Sequence, residues 1–151
     1  MSVSSIQSSK AISTSTIHGA WQLLTYHVEQ QSNGDTFTPM GNNPSGYVIF
    51  TPEGRLSFML SAEGRQPGTT AEARSALLSS MIAYTGVYRL EGDHWITQVD
   101  VAWNPEWVGT EQTRFFQIDG DLLTVHTPWR VMPNWPERGL TRSIVRFRRC
   151  G

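Results

Sequence analysis

Trp103-Asn104-Pro105-Glu106-Trp107-Val108-Gly109-Thr110-Glu111-Gln112-Thr113-Arg114-Phe115-Phe116 joins two runs of β-forming residues. Two indoles, a proline and a glycine occupy the joint. Arg114 follows on the same strand parity as Gln112, Phe116 and Ile118. Downstream, residues 111–118 and 122–127 flank Asp119-Gly120-Asp121 and read as a hairpin. Phe116 and Ile118 then pair with Leu123 and Val125, so Arg114 and Gln112 fall on the apolar face. Upstream, residues 82–90 and 95–103 flank Glu91-Gly92-Asp93 in the same way. An aromatic elbow feeding an arginine into an apolar face marks one mouth of a closed β-barrel.

The other segments fit that pattern. Residues 46–51 and 55–61 flank Pro52-Glu53-Gly54 as a further hairpin. Residues 21–29 are rich in β-formers and stop at the turn Ser32-Asn33-Gly34-Asp35. Residues 36–45 and 128–140 read as irregular, and 141–148 as the last strand. Thr69-Thr70-Ala71-Glu72 fits a capping box with Thr69 as N-cap. Ala73, Ala76, Leu77, Ser80 and Met81 continue at helical spacing. One short helix over about 70–81 is therefore expected, either packed as a cover on the barrel or acting as a mobile lid. The expected fold is all-β: a closed eight-stranded antiparallel up-and-down barrel. Closure removes unpaired strand edges. Eight strands enclose about enough room for one small ligand.

Composition narrows the function classes. The chain has 151 residues, 38% hydrophobic and 17% charged, which suits a single domain over 16–149. Residues 1–15 are serine-rich and read as a disordered lead-in without an apolar leader core. A net charge of -1 with no basic block argues against a nucleic-acid partner. No apolar run reaches the roughly 18–20 residues of a membrane span. The lone Cys150 has no partner for a disulfide. A cytoplasmic location is expected.

Parity assigns the interior. Phe50 and Phe58 face inward on the first hairpin, and Tyr84 and Tyr88 on the next strand. Trp95, Thr97, Val99, Val101 and Trp103 share one face of the following strand. If Trp21 points inward, His27 does too. The resulting interior is apolar with a few polar groups, the usual form of a small-molecule site. Arg114 is either a clamp for a ligand carboxylate, enolate or carbonyl, or a structural pair at the barrel end. Tyr84 and Tyr88 are either proton donors to a carbonyl or packing residues, and His27 is either a general base or an exposed strand residue. The catalytic candidates are thus Arg114, Tyr84, Tyr88 and His27. The ligand-contact candidates are Trp103, Gln112, Phe116, Phe58, Phe50, Thr97, Val99, Trp107 and Trp129. The tryptophans of the loops line a mouth for a flat or polyene-like ligand, plug the core, or form an oligomer contact such as a homodimer. On the last strand, Arg148 is placed to stack on Trp21. Histidine spacing gives no metal site, and no glycine-rich phosphate loop calls for a nucleotide cofactor.

Four ordered blocks carry a resemblance, together with the short Gly19-x-Trp21 signature. They are Gly46-Tyr47-Val48-Ile49-Phe50-Thr51-Pro52-Glu53-Gly54, Ala83-Tyr84-Thr85-Gly86-Val87-Tyr88, Asn104 through Phe115, and Asp119-Gly120-Asp121-Leu122-Leu123-Thr124-Val125. Together they resemble the lipocalin-like domain family of small microbial and fungal proteins, from about Gly19 to Phe147. The resemblance implies an eight-stranded barrel with a ligand lumen. Some similar barrels in natural-product pathways act as cyclases, isomerases or dehydratases on hydrophobic intermediates. That implies a cofactor-independent enzyme of secondary metabolism, with a non-catalytic carrier as the alternative. The chain departs from the family pattern at Thr97-Gln98 and in the tryptophan-rich loop 128–140.

Overall fold

The computed structural model describes residues 14–151. The expected lead-in over 1–15 therefore lies outside the described residues, save its last two, which open a single helical turn. That turn is α1 (Thr14–Ile17), and β1 (Gly19–Gln30) follows it. Then come β2 (Thr36–Phe37), β3 (Ser45–Phe50), β4 (Arg55–Ser61) and α2 (Ala71–Ser79). The second half holds β5 (Met81–Glu91), β6 (His94–Ala102), β7 (Glu111–Asp119), β8 (Leu122–His126), β9 (Arg130–Val131) and β10 (Leu140–Arg149).

Eight of these strands form the wall: β1, β3 to β8, and β10. Each pairs antiparallel with the next, and β10 returns to β1 to close the barrel. The short β2 and β9 add to β1 and β10 inside segments expected to be irregular. Up-and-down order sorts the connections by length. The tight turns β3–β4, β5–β6 and β7–β8 share one end, the closed end. The long connections, including α2 and loop 127–139, share the other, the open end. Gly92 and Gly120 start two-residue hairpin loops at φ 64 and 61, a backbone only glycine adopts cheaply.

Aromatic rings fill the closed end. Phe50 meets Tyr88 at 5.2 Å and Trp95 at 5.0 Å, and Trp95 meets Phe116 at 5.2 Å. Ile17 of α1 is fully buried there, and its carbonyl accepts from Trp21 Nε1 at 3.0 Å. Arg149 covers the Trp21 ring at 4.0 Å, the place expected of Arg148. At the open end, loop 127–139 folds inward. Trp135 is buried against Tyr26 and Phe37, with its Nε1 donating to Thr141 Oγ1 at 3.2 Å. Asn134 Nδ2 donates to the carbonyls of Ser79 and Met81 and ties the loop to β5.

Two β-bulges shift strand parity. On β1 the pairing with β10 slips between Leu23 and Thr25, leaving Leu24 extra. Tyr26 and Val28 thereby turn inward. On β6 the pairing with β5 slips so that Asp100 is extra. Asp100 and Val101 then both face out, and Asp100 pairs with Arg55. The β5 partner at this slip is Gly86, where a Cβ would sit 2.0 Å from the Gln98 carbonyl oxygen. Only glycine admits that approach.

The helix starts one residue later than expected. Thr70, not Thr69, is the N-cap, its Oγ1 accepting from the Ala73 amide at 3.1 Å. None of its side chains is buried, so it is no packed cover. It is held at its C-terminal end, where Arg65 donates to the Leu77 carbonyl and Ser80 Oγ.

Candidate functional site

A cavity opens inside the wall, toward the open end. Its enclosed volume is small, about 30 Å³, and the space reaches about 400 Å³ only when the open mouth is counted. Its apolar lining includes Phe58, Ile82, Trp95, Val125, Val145 and Phe147. Six polar side chains join them: Tyr26, Tyr84, Arg114, Thr127, Arg130 and Ser143. An outer vestibule lies beside the cavity, between the β6–β7 connection and loop 127–139. Trp107, Arg114 and Arg130 line both spaces and so form the neck between them.

Strand β7 sends Arg114 inward, where it is only 7% exposed. Its Nη1 donates to the Thr113 carbonyl at 2.8 Å, and its guanidinium lies 5.8 Å from the Trp107 ring centre. Trp107 is held by a one-turn 3-10 helix, Pro105–Trp107, capped by Asn104. Its ring packs on Tyr84 at 5.2 Å and on Trp103 at 4.9 Å.

Arg130 enters from β9. Its Nη1 donates to the Thr141 carbonyl at 3.2 Å and its Nη2 to Ser143 Oγ at 3.1 Å. Its Nε is buried with no partner. Among the described residues neither arginine forms an ion pair. Glu111 borders the vestibule, but its carboxylate binds Arg89 on the outer surface at 3.1 Å. Burial pushes Arg130 down to about 10, with Tyr26 opposing and the like charge of Arg114 adding. That still leaves the guanidinium charged at neutral pH.

Hydroxyls complete the neck. Tyr26 Oη and Ser143 Oγ lie 2.8 Å apart. Two hydroxyls sharing one bond use one proton and leave the other free to donate. Thr127 Oγ1 accepts from the Ser143 amide at 2.9 Å.

The sequence candidates divide into three groups. Arg114, Tyr84, Phe58 and Trp107 border the cavity, and Gln112 borders the vestibule. Tyr88, Phe50, Thr97, Val99 and Phe116 point inward but belong to the packed interior, away from the open space. Burial among aromatics pushes the Tyr88 phenol up, and its hydroxyl has no partner. His27, Trp103 and Trp129 do not face the lumen. The bulge at Leu24 turns His27 outward into solvent, and the bulge at Asp100 takes Trp103 out of the lumen. Trp103 instead borders a hollow on the outer wall, among Tyr47, Ile49, Met59 and Val101. Trp129 packs outside under Arg142 at 4.7 Å, and Arg142 is bound in turn to Glu29.

Sequence reasoning missed Tyr26, Arg130 and Ser143. Tyr26 sits beyond a bulge, and Arg130 lies in a segment without periodicity. For Ser143, the sequence signal was available: it shares parity with Val145 and Phe147 on the last strand.

A family model for the lipocalin-like domain matches residues 18–150. The chain belongs to the lipocalin-like domain family. The match covers the whole wall, both bulges and the neck. A lipocalin-like barrel suggests binding of a small hydrophobic ligand. No curated protein matches the chain. No helix among the described residues is long and apolar enough to cross a membrane.

Proposed function

We propose that this lipocalin-like protein binds one small hydrophobic molecule with a polar head inside its barrel. The body lies against Phe58, Val125, Val145 and Phe147, and the head reaches the neck at Arg114 and Arg130. One observation carries the reading: an apolar cavity on which six polar side chains converge. Binding without turnover, as in a carrier, is favoured over catalysis. The cavity lining includes no histidine and no carboxylate, so it offers no evident general base.

A cofactor-free isomerase, cyclase or dehydratase is the second reading. It rests on Tyr84 and two guanidiniums facing one space, an arrangement suited to polarising a carbonyl. Binding of the neutral dye Nile red tests the first reading. Saturable one-to-one binding is expected, lost in Val125→Phe, which fills the lumen while circular dichroism stays unchanged. Binding untouched by that substitution would place the dye elsewhere and end the proposal. Turnover of an unsaturated ketone, reduced in Tyr84→Phe, would restore the enzyme reading.

A further inference from the structure

The neck holds more than polarity. It holds two positive charges that no carboxylate among the described residues balances. Arg114 is buried and spends one N–H on the Thr113 carbonyl. Arg130 spends two groups on Thr141 and Ser143 and keeps a buried Nε without a partner. Each guanidinium carries five N–H donors and no acceptor. The Tyr26–Ser143 pair leaves one further proton to give. Two like charges share a small aromatic-walled space with no acid among its lining residues. Leaving such charges buried and uncompensated is costly.

From this geometry we infer that the ligand's polar head is a carboxylate, seated at the neck between Arg114 and Arg130 with its apolar body in the lumen. The inference rests on the lumen-binding reading above and narrows it. A guanidinium fork matches the two oxygens of a carboxylate with parallel bonds. The free hydroxyl proton of the Tyr26–Ser143 pair supplies one more donor. The apolar lining beneath the neck suits an acid carried on a hydrocarbon body better than a free inorganic anion. The small enclosed volume, about 30 Å³, favours a compact or flat acid over an extended chain.

Cinnamate, cinnamamide and cinnamyl alcohol test this, because they share one skeleton and differ in head charge. Their affinities are read by tryptophan fluorescence at pH 7, beside Nile red and inorganic phosphate. The expected result is cinnamate binding at least tenfold tighter than either neutral analogue. That preference should collapse to near unity in Arg130→Gln and in Arg114→Gln. Equal or tighter binding of the neutral analogues overturns the carboxylate inference and leaves lumen binding standing. So does Nile red binding without any cinnamate binding. Inorganic phosphate competing as well as cinnamate overturns it in favour of an inorganic anion. Failure of Nile red and all three analogues overturns both readings. Should either arginine variant fail to fold, the charge preference of the wild-type protein still decides.

Discussion

The two ends of the barrel both bury polar atoms without partners, but only one end includes a charged group among them. Toward the closed end they are neutral: the Tyr88 hydroxyl and the Trp95 indole N–H. At the open end they are the neutral Asn134 Oδ1 and the Nε of a charged guanidinium, Arg130, with Arg114 beside it. A neutral orphan costs about 1–3 kcal/mol, which dense aromatic packing can offset. A buried unpaired charge costs more and is not offset by shape. Under the proposed reading, the difference separates a region built for stability from one that gives up stability for binding.

Substitutions should therefore move stability and binding in opposite senses at the two ends. The largest effect is expected at the closed end. Phe50→Ala should cost about 3–5 kcal/mol by urea denaturation, with binding per folded molecule retained. Gly86→Ala should cost about 2–3 kcal/mol, because the added Cβ meets the Gln98 carbonyl and the β5–β6 slip must open. Equal loss of binding in both would erase the distinction between the ends.

Arg130→Met should act the other way. It should raise ligand-free stability by about 1–3 kcal/mol while carboxylate preference is lost. A lower urea midpoint would make Arg130 a structural residue. The gain should also depend on pH in a defined direction. Folded Arg130 is held at about 10, below the ordinary arginine range. Between about pH 10 and that range the unfolded wild-type chain keeps a proton that the folded chain has released, so this group makes wild-type stability rise with pH. The gap between variant and wild type is constant below about pH 10 and narrows above it. Measuring the gap from pH 7 to 11 checks the sign, since groups common to both chains cancel.

The smallest effects test the neutral orphans. Tyr88→Phe should be neutral or stabilising by up to about 1 kcal/mol, because it removes a hydroxyl that makes no bond. A clear loss would show that the hydroxyl has a partner. His27→Ala should change neither stability nor binding beyond about 0.5 kcal/mol, as expected for an exposed strand residue.

What the chain revealed of itself follows from these same residues. Paired runs around Pro52-Glu53-Gly54, Glu91-Gly92-Asp93 and Asp119-Gly120-Asp121 announced three hairpins, because glycine in a short turn is a local requirement. Strict alternation on β7 and β8 placed Arg114, Phe116, Leu123 and Val125 inward, as the structure has them. The same alternation misplaced His27, Val101 and Trp103. Each lies beyond a bulge, and period-2 counting cannot see an extra residue. Loop 127–139 offered tryptophans and prolines but no period from which to read direction.

The sequence by itself determined the hairpins, the eight wall strands and the inward course of Arg114, since each depends on residues close along the chain. Only the tertiary structure decided the two bulges, because a register slip belongs to a pair of strands and not to one. It alone brought Arg130 from β9 to Ser143 on β10 and Tyr26 on β1, whose hydroxyls meet across 117 positions. A cavity with two unpaired positive charges exists only once the barrel is closed, because neither arginine is buried until distant strands surround it.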